Sequence, residues 1–314
     1  MSLAIGVDIG GTKVSGGVVD PEGKVLSFLR RPTPSSDPGE TADTIAAVVS
    51  ELRTVHDVTA VGIGAAGWID LERSTVLFAP NLAWRDEPIR ARLEDLTGLP
   101  ILVENDANAA AWAEYQFGAG RGERVLAMVT LGTGIGSGLV VDGALYRGAH
   151  GIAPEFGHMC VVPDGRRCGC GNRGCWEQYA SGKALVREAR DIASGAPLSA
   201  GALLAAADGN VLAIDGPIVT EVALAGDAAA QECFNEVGLW LGKGLAGLAS
   251  ALDPSCFIVG GGVADAGDLL IEPTRRAFQA TLPGRGFRPM PAVRLAALGN
   301  KAGLVGAADL ARRG

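Results

Sequence analysis

Residues 3–20 read LAIGVDIGGTKVSGGVVD, and residues 125–142, VLAMVTLGTGIGSGLVVD, repeat their pattern of apolar runs, glycines and a closing Val-Val-Asp. In each copy an apolar run reaches a glycine-rich loop and a second apolar run follows, which predicts a strand, a tight loop and another strand. Two copies of such a unit in one chain favour two similar domains that face each other across a cleft.

Helices and strands alternate between and after these copies, which indicates an α/β fold. Before the second copy, the sequence predicts a third strand at residues 24–29, helices at 38–55, 86–97 and 107–117, and strands at 58–65 and 101–104. After it, the sequence predicts alanine-rich helices, a strand at 256–259 and a last helix at about 301–312. Residues 194–217 have the weakest pattern, and we expect a surface connection there.

The chain of 314 residues is long enough for two domains, each with its own core. We expect residues 1–117 to form a small α/β domain and residues 118–299 to form a large one. The C-terminal helix, at about residues 300–314, is expected to return to the small domain.

Composition and charge are typical of a globular protein, with 48% hydrophobic and 20% charged residues. The net charge of −8, without a basic cluster, argues against a nucleic-acid partner. The sequence shows no apolar stretch long enough for a membrane span and no export signal. We therefore expect a cytoplasmic protein that binds neither nucleic acid nor membrane.

A second informative stretch, residues 151–180, contains one histidine, four cysteines and two glutamates. Cys168, Cys170 and Cys175 follow a C-x-C-x4-C spacing, and His158 precedes them. Three thiolates and one imidazole form a complete tetrahedral ligand set, so we expect one structural Zn²⁺ per chain, in the large domain. The alternative is a group of ordinary buried cysteines in a reducing compartment, which is our interpretation of Cys160.

Two carboxylates flank the predicted metal ligands. Glu155 lies three residues before His158, and Glu177 lies two residues after Cys175. An ion that fixes the histidine and the cysteine also fixes both carboxylates, which are acceptors for the hydroxyl groups of a polyhydroxylated ligand.

Both copies of the repeat carry a loop suited to binding phosphate: DIGGTK at residues 8–13 and LGTGIG at residues 131–136. Glycines let backbone N–H groups converge on an anion, and Thr12 and Thr133 add hydroxyl donors. Asp8 is suited to holding Mg²⁺ through water. The alternative is a pair of tight hairpin turns without a ligand.

Two common nucleotide-binding motifs are not supported. Residues 62–67, GIGAAG, fit the dinucleotide pattern G-x-G-x-x-G, but the residues after them do not open a helix. No Gly-Lys pair is followed by Ser or Thr, which excludes a P-loop.

Asp106 follows the predicted strand 101–104 and precedes the predicted helix 107–117. The helix N-terminus favours an ionised carboxylate, and the carboxyl end of a strand is where α/β sheets bind ligands. An aspartate there is able to orient an acceptor hydroxyl in phosphoryl transfer and take its proton. The alternative role is a helix cap, which accounts for only one of Asn105 and Asp106.

These motifs together resemble the ROK family of sugar kinases (repressor, open reading frame, kinase), and within it the bacterial glucokinases. The resemblance rests on DIGGTK at 8–13, ENDANAAAWAE at 104–114, GTGIG at 132–136, PEFGH at 154–158, CGCGNRGCWEQYAS at 168–181 and GGG at 260–262. It implies the fold of the actin-like ATPases and hexokinase, which is ribonuclease H-like, with two α/β domains and a cleft between them.

The resemblance also implies roles for individual residues. Asp106 is expected to be the general base for the sugar 6-hydroxyl, and His158 to serve zinc and sugar through different ring nitrogens. The expected sugar-binding residues are Asn81, Asn105, Asp106, Glu155, His158 and Glu177. The expected nucleotide-binding residues are Asp8, Gly10, Gly11, Thr12, Lys13, Thr133, Gly134, Gly261 and Gly262.

The residues and the resemblance together predict an ATP-dependent kinase that phosphorylates glucose at its 6-hydroxyl, with Mg²⁺ accompanying ATP. The first alternative is a kinase for another hexose, such as N-acetylmannosamine, fructose or allose. The second is a regulatory protein that senses a sugar without turnover. From the family we expect a homo-oligomer, either a dimer or a tetramer.

Overall fold

The computed structural model describes residues 2–314 as strands and helices that alternate along most of the chain. The strands are β1 Leu3–Ile9, β2 Lys13–Val19, β3 Val25–Pro32, β4 Val58–Ala65, β5 Trp68–Ile69, β6 Val76–Phe78, β7 Arg85–Glu87, β8 Ile101–Asn105, β9 Val125–Leu131, β10 Ile135–Val141, β11 Ala144–Leu145, β12 Cys256–Gly260 and β13 Ala292–Leu295. The helices are α1 Pro38–Arg53, α2 Ile89–Thr97, α3 Asp106–Phe117, α4 Gly182–Gly195, α5 Gly201–Ala206, α6 Gly216–Leu224, α7 Ala228–Leu252, α8 Asp268–Thr281 and α9 Ala302–Arg313.

The first copy of the repeat forms the centre of a five-stranded sheet with the order β3-β2-β1-β4-β8. Strand β1 pairs with β2 in antiparallel register and with β4 in parallel register, and β8 continues the parallel part. Because β8 is parallel to β1 and β4, its carboxyl end lies at the same edge of the sheet as theirs. The loop after β1 and the junction after β8 are therefore both at this edge.

Helix α1 contributes to the core beside this sheet through an apolar stripe at helical spacing. Ile45, Val48 and Leu52 are buried, as the sequence pattern predicts. The Asp37 side chain begins the helix by accepting hydrogen bonds from the N–H groups of Gly39 and Glu40.

Helix α9 packs directly on β1 and β4, and glycines make the close approach possible. A side chain at Gly6 would overlap the Leu304 carbonyl of α9, and one at Gly62 would overlap the Ala307 carbonyl. A side chain at Gly306 of α9 would likewise overlap the Ala109 carbonyl of α3. The last helix therefore contributes to the same core as the first strand.

The second copy of the repeat belongs to a five-stranded sheet with the order β11-β10-β9-β12-β13. Strand β12 pairs with β13 in parallel register, and β10 pairs with β11 in antiparallel register. Helix α7 lies against α8, where Gly242 contacts the backbone around Thr274. A small antiparallel sheet with the order β5-β6-β7 follows β4 in the chain.

The chain divides into two compact units. The first comprises the residues up to Met128, Ser137–Pro154 and Ala297–Gly314, and so includes α9. The second comprises Val129–Gly136 and Glu155–Ala296. The division into domains at residues 117 and 299, which we expect from the sequence, stays a prediction.

The predicted elements differ from the structure at two places. Helix α2 begins at Ile89 rather than at residue 86, because Arg85–Glu87 pair with β6 and Pro88 follows them. Residues 194–217 are not only a surface connection, since they contain α5, in which Leu203 is buried.

The rejection of a dinucleotide-binding turn is consistent with the structure. The segment after residues 62–67 forms strand β5 and not a helix, as the rejection of a dinucleotide-binding turn requires. Within residues 2–314, none of the helices combines the length and the apolar character that a bilayer span requires.

Candidate active site

The predicted site residues fall into two groups, one in each compact unit. The first unit contains Asp8, Gly10, Gly11, Thr12, Lys13, Asn81, Asn105 and Asp106. The second contains Thr133, Gly134, Glu155, His158, Cys168, Cys170, Cys175, Glu177, Gly261 and Gly262.

Asn105 and Asp106 share the junction between β8 and α3, and Asn105 is the helix cap. Its Oδ1 accepts hydrogen bonds from the N–H groups of Ala107 at 2.9 Å and Asn108 at 3.0 Å. Its Nδ2 donates to the Gly67 carbonyl at 3.1 Å, which ties the junction to the segment after β4. The Ala107 N–H also donates to Asp106 Oδ1 at 2.9 Å, so Asp106 shares one donor of the helix start with Asn105, whose side chain alone binds the Asn108 N–H.

Asp106 lies close enough to Asp8 for its charge to affect the pKa of the Asp8 carboxyl. Burial raises the pKa of Asp8 to about 7, with a further rise from the charge of Asp106 and an opposing effect of Arg30. Burial also raises the pKa of Asp106, against the hydrogen bond from the Ala107 N–H. Burial thus opposes the ionisation that we expect from the helix N-terminus, and a cation bound at Asp8 would favour both charged forms.

The loop between β1 and β2 is fixed by its backbone and lies against Asn81. The Gly10 N–H donates to the Lys13 carbonyl at 3.0 Å, and the Thr33 hydroxyl donates to the Gly10 carbonyl at 2.8 Å. A Cβ at Gly11 would lie 2.9 Å from the Cβ of Asn81. The structure therefore places Asn81, a predicted sugar ligand, in contact with the predicted phosphate loop.

In the second unit, His158, Cys168, Cys170 and Cys175 form a cluster whose ligand atoms all lie within 4.8 Å of one another. The Sγ atoms of Cys170 and Cys175 are 3.6 Å apart, and Cys168 Sγ is 3.7 Å from His158 Nδ1. Ligands of a tetrahedral zinc ion at ordinary bond lengths are separated by about 3.5–3.8 Å. The four side chains therefore fit a closed zinc site.

The Glu155 and Glu177 carboxylates both lie beside this cluster. His158 presents Nδ1 to Cys168, and its Nε2 lies 3.9 Å from Glu155 Oε2. Glu177 Oε1 lies 3.0 Å from Cys168 Sγ. Burial, with Glu177 close by, raises the pKa of the Cys168 thiol, an effect that a divalent cation would reverse by stabilising the thiolate.

The second glycine loop contacts two other predicted segments of its unit. A side chain at Gly134 would overlap Oε2 of Glu177, so this loop and a predicted sugar ligand are in contact. The Gly182 N–H, in the first turn of α4, donates to the Gly132 carbonyl at 2.8 Å. Gly261 has a φ of +83°, and a Cβ there would lie 2.5 Å from the Leu131 carbonyl oxygen. Thr133 and Gly134 are thus grouped with Glu177, and the loop that carries them lies against Gly261.

Comparison with known proteins identifies the family. The sequence matches the ROK family over residues 4–314. The chain belongs to the ROK family. It is 53% identical to a glucokinase of Streptomyces coelicolor over 312 residues, which cover 99% of this chain and 98% of the relative. It is 33% identical to an N-acetylmannosamine kinase of Yersinia pseudotuberculosis, over 90% of each chain.

The fold agrees with this assignment. The structure matches the crystal structure of a ROK family glucokinase from Streptomyces griseus in complex with glucose and AMPPNP, with a TM-score of 0.92 and 54% identity. The match covers 99% of this chain and all of that one. The predicted two-domain fold of the actin-like ATPases and hexokinase is thereby confirmed.

The sequence motifs assign no role to Glu104, the residue before Asn105, which caps α3. Its side chain is fully buried and pairs with Arg73 and Arg147. The sequence does contain a signal for it, because Glu104 directly follows Val103 in an apolar strand, where a charged side chain needs a partner of opposite charge. The sequence does not identify Arg73 and Arg147 as those partners, because both lie far from Glu104 along the chain.

The prediction that Cys160 is an ordinary buried cysteine is wrong. The sequence favours an ordinary core cysteine, but Cys160 is exposed. It forms an isolated antiparallel bridge with Cys175, so it lies at the surface of the segment that carries the cysteine cluster.

Proposed function

We propose that this ROK family member transfers the γ-phosphoryl group of ATP to the 6-hydroxyl of D-glucose, releasing ADP, glucose 6-phosphate and a proton. The observation that carries the proposal is the match to glucokinases along the whole chain, in sequence and in fold. A kinase of this class works by positioning its substrates and by stabilising charge, since phosphoryl transfer needs little covalent chemistry from the protein.

Asp106 acts as the general base in this proposal. It lies at the carboxyl end of β8 and at the start of α3, where Asn105 holds the backbone in place. The burial that raises its pKa makes its carboxylate a better proton acceptor than an exposed aspartate. It orients the 6-hydroxyl and takes its proton as the bond to phosphorus forms.

The two glycine loops bind the phosphates of ATP through their backbone N–H groups and threonine hydroxyls. The nucleotide-binding residues of the proposal are Asp8, Gly10, Gly11, Thr12, Lys13, Thr133, Gly134, Gly261 and Gly262. Mg²⁺ bound with ATP supplies charge neutralisation at the phosphates, and Asp8 would hold it through water. The raised pKa of Asp8 in the ligand-free protein supports this role, because a cation is what favours its charged form.

The sugar is read by side chains that the metal-binding segment holds in place. Glu155, Glu177 and the Nε2 of His158 bind sugar hydroxyl groups, together with Asn105 and Asn81. A structural Zn²⁺ would be held by His158, Cys168, Cys170 and Cys175, and it supplies rigidity to a segment with few helices or strands. The 3.9 Å between His158 Nε2 and Glu155 supports a shared role at the sugar.

A second candidate substrate is N-acetylmannosamine, because a kinase for that sugar is among the relatives that match nearly the whole chain. The higher identity to the glucokinase of Streptomyces coelicolor favours glucose. A purely sugar-sensing role is disfavoured, since the chain keeps Asp106 and both phosphate loops.

An ADP-release assay across a sugar panel tests the proposal. With ATP and Mg²⁺, we expect kcat/KM to be highest for glucose, at least about tenfold above N-acetylmannosamine, fructose and allose, the ratio that about 1.4 kcal/mol of selective binding gives. A higher kcat/KM for N-acetylmannosamine would assign that substrate instead. Sugar binding without turnover of any member of the panel would make the protein a sensor.

The cell compartment and the assembly belong to the same proposal. The six cysteines are free thiols, and three of them serve the predicted metal site, which suits the reducing cytoplasm. We propose a homo-oligomer, a dimer or a tetramer, as the working assembly. Light scattering with size-exclusion chromatography measures it directly.

A further inference from the structure

We propose that Glu104 is a positioning residue that holds the β8–α3 junction, and with it Asp106, in the geometry for phosphoryl transfer. This inference rests on the proposed function. Glu104 lies in β8, two residues before Asp106, and its side chain is 0% exposed. Ionised carboxylates are almost never fully buried without partners that compensate the lost hydration.

One side of Glu104 faces two guanidinium groups. Arg73 Nε and Arg147 Nε each lie 3.0 Å from Oε2. Arg147 also donates to the carbonyls of Leu71, at 2.9 Å, and Asp70, at 2.8 Å. The Glu104 carboxylate is thereby connected to the turn between β5 and β6, which carries Arg73.

The other side of Glu104 binds the catalytic junction itself. Its Oε1 accepts hydrogen bonds from the Asn105 N–H at 2.9 Å and from Asn108 Nδ2 at 3.2 Å, and it shares Arg147, whose Nε also donates to it at 3.2 Å. Asn105 caps α3, and Asn108 lies in the first turn of that helix. Glu104 therefore binds Asn105, immediately before Asp106, and Asn108, two residues after it, without being a ligand of the substrate.

Stability alone does not explain this arrangement. A buried ion pair is often no better for stability than apolar residues of similar volume, because the charges lose their hydration. The charged groups also orient their neighbours, since each hydrogen bond fixes the position of one backbone or side-chain group. A displacement of about 1 Å at a reacting group can cost about 100-fold in rate, so this direction matters for Asp106.

The chain offers a matched control in Glu114, at the other end of α3. Its side chain is also 0% exposed. Its carboxylate accepts the backbone N–H groups of Ala119, Ala297 and Leu298, at 2.7–3.1 Å. Glu114→Gln therefore disturbs an equally buried carboxylate of the same helix, away from the junction.

The experiment compares Glu104→Gln, Arg73→Gln and Glu114→Gln in the full chain, with rates expressed per folded enzyme. For Glu104→Gln we expect kcat to fall by about 10- to 100-fold and KM for glucose to rise, while KM for ATP stays within about threefold of wild type. Arg73 is 25% exposed, so Arg73→Gln is the milder variant, and we expect the same pattern at smaller size. Glu114→Gln should lose thermal stability and keep kcat within about twofold of wild type.

Two results would overturn the inference. One is wild-type kcat and glucose KM in Glu104→Gln; the other is a loss of kcat in Glu114→Gln as large as in Glu104→Gln. If Glu104→Gln does not fold, Arg73→Gln decides by the same criteria. If Asp106→Ala is inactive while Glu104→Gln and Arg73→Gln keep full activity, only the inference about Glu104 is wrong. If Asp106→Ala keeps full activity, the proposed general base is wrong.

Discussion

At the scale of single residues, the junction after β8 gives its two polar neighbours different environments. The Asn105 side chain caps α3 and also binds the Gly67 carbonyl. Asp106, next to it, is half-buried, and its charge raises the pKa of Asp8. The sequence alone leaves open which of the two neighbours is the cap, and the hydrogen bonds of the structure answer that question.

Replacing Asp106 with alanine tests the general base. We expect Asp106→Ala to lower kcat by about 10²- to 10⁴-fold, because no group then takes the proton of the 6-hydroxyl. The Kd for glucose, measured by calorimetric titration, should change little, since other side chains read the sugar. Asp95→Ala, at an exposed carboxylate on α2, is the control and should keep wild-type kcat.

Asp8 gives a prediction for the pH dependence of stability. Its folded-state pKa lies at about 7, above the ordinary 3.8, so ionising it costs folding free energy as the pH rises through this range. We expect Asp8→Asn to raise the Tm of the ligand-free protein by about 2–4 °C at pH 8 and by less at pH 5. Thermal unfolding at both pH values measures it, and an unchanged Tm at pH 8 contradicts it.

At the scale of elements, the segment between β11 and α4, which carries the cluster of His158 and three cysteines, has little regular structure of its own. Between β11 and α4 it contains only two short 3-10 turns, Phe156–His158 and Trp176–Gln178, among the described residues. The hydrogen bonds of its backbone run mostly within the segment, as from the Gly174 N–H to the Arg166 carbonyl. A bound ion is the natural source of rigidity for such a segment.

Removing one sulfur ligand tests this role of the ion. We expect Cys168→Ser to lose most of its zinc and, with it, most of its activity, because Glu155 and Glu177 are then no longer fixed. Elemental analysis of protein purified without chelator, beside the kinase assay, measures both losses. Cys233→Ser, at a buried cysteine of α7 outside the cluster, is the control. Full activity in metal-free Cys168→Ser would refute the role.

The contact between Gly134 and Glu177 gives a more selective prediction at this scale. A methyl group at residue 134 would displace the flexible end of Glu177 rather than the backbone. We therefore expect Gly134→Ala to raise KM for glucose by about 3- to 30-fold, the loss of one or two hydrogen bonds, with Tm nearly unchanged. Gly169→Ala, where a Cβ would meet no atom within 4 Å, is the control. Equal glucose KM in both variants would count against Glu177 as a sugar ligand.

The sequence predicts most elements, because apolar periodicity and glycine loops are local signals. It places the strands of both hairpins, and the C-x-C-x4-C spacing points to the three cysteines that the structure brings together with His158. It misses strand β7, because Arg85–Glu87 have no apolar pattern and depend on pairing with β6. It also misses the partners of Glu104, because Arg73 and Arg147 reach it only in the folded chain.

At the scale of the whole molecule, the first unit is built from distant parts of the chain. Helix α9 packs on β1, β4 and α3, and small residues on both sides allow the backbones to approach. A side chain at Gly62 would overlap the Ala307 carbonyl, whereas one at Gly64, on the same strand, would make contacts of 3.6 Å or more.

These two glycines provide a matched test of how the last helix docks. We expect Gly62→Ala to destabilise the protein by about 1–3 kcal/mol, because α9 must move away from β4, and to lower Tm by about 3–10 °C. Gly64→Ala should change Tm by less than about 2 °C, since ordinary contacts replace empty space. Thermal unfolding of both variants measures the difference, and equal Tm values would mean that α9 docks without this close approach.

The docking of α9 on β1 has a consequence for how the protein is made. Strand β1 ends at Ile9 and the helix that covers it begins at Ala302, so the strand leaves the ribosome long before its helix is synthesised. At an elongation rate of about 5–20 residues per second the interval is on the order of tens of seconds, during which the covered face of β1 and β4 lacks its helix. A nascent chain stalled before residue 302 should therefore be bound by chaperones that recognise exposed apolar strands, and release of the full chain should end that binding.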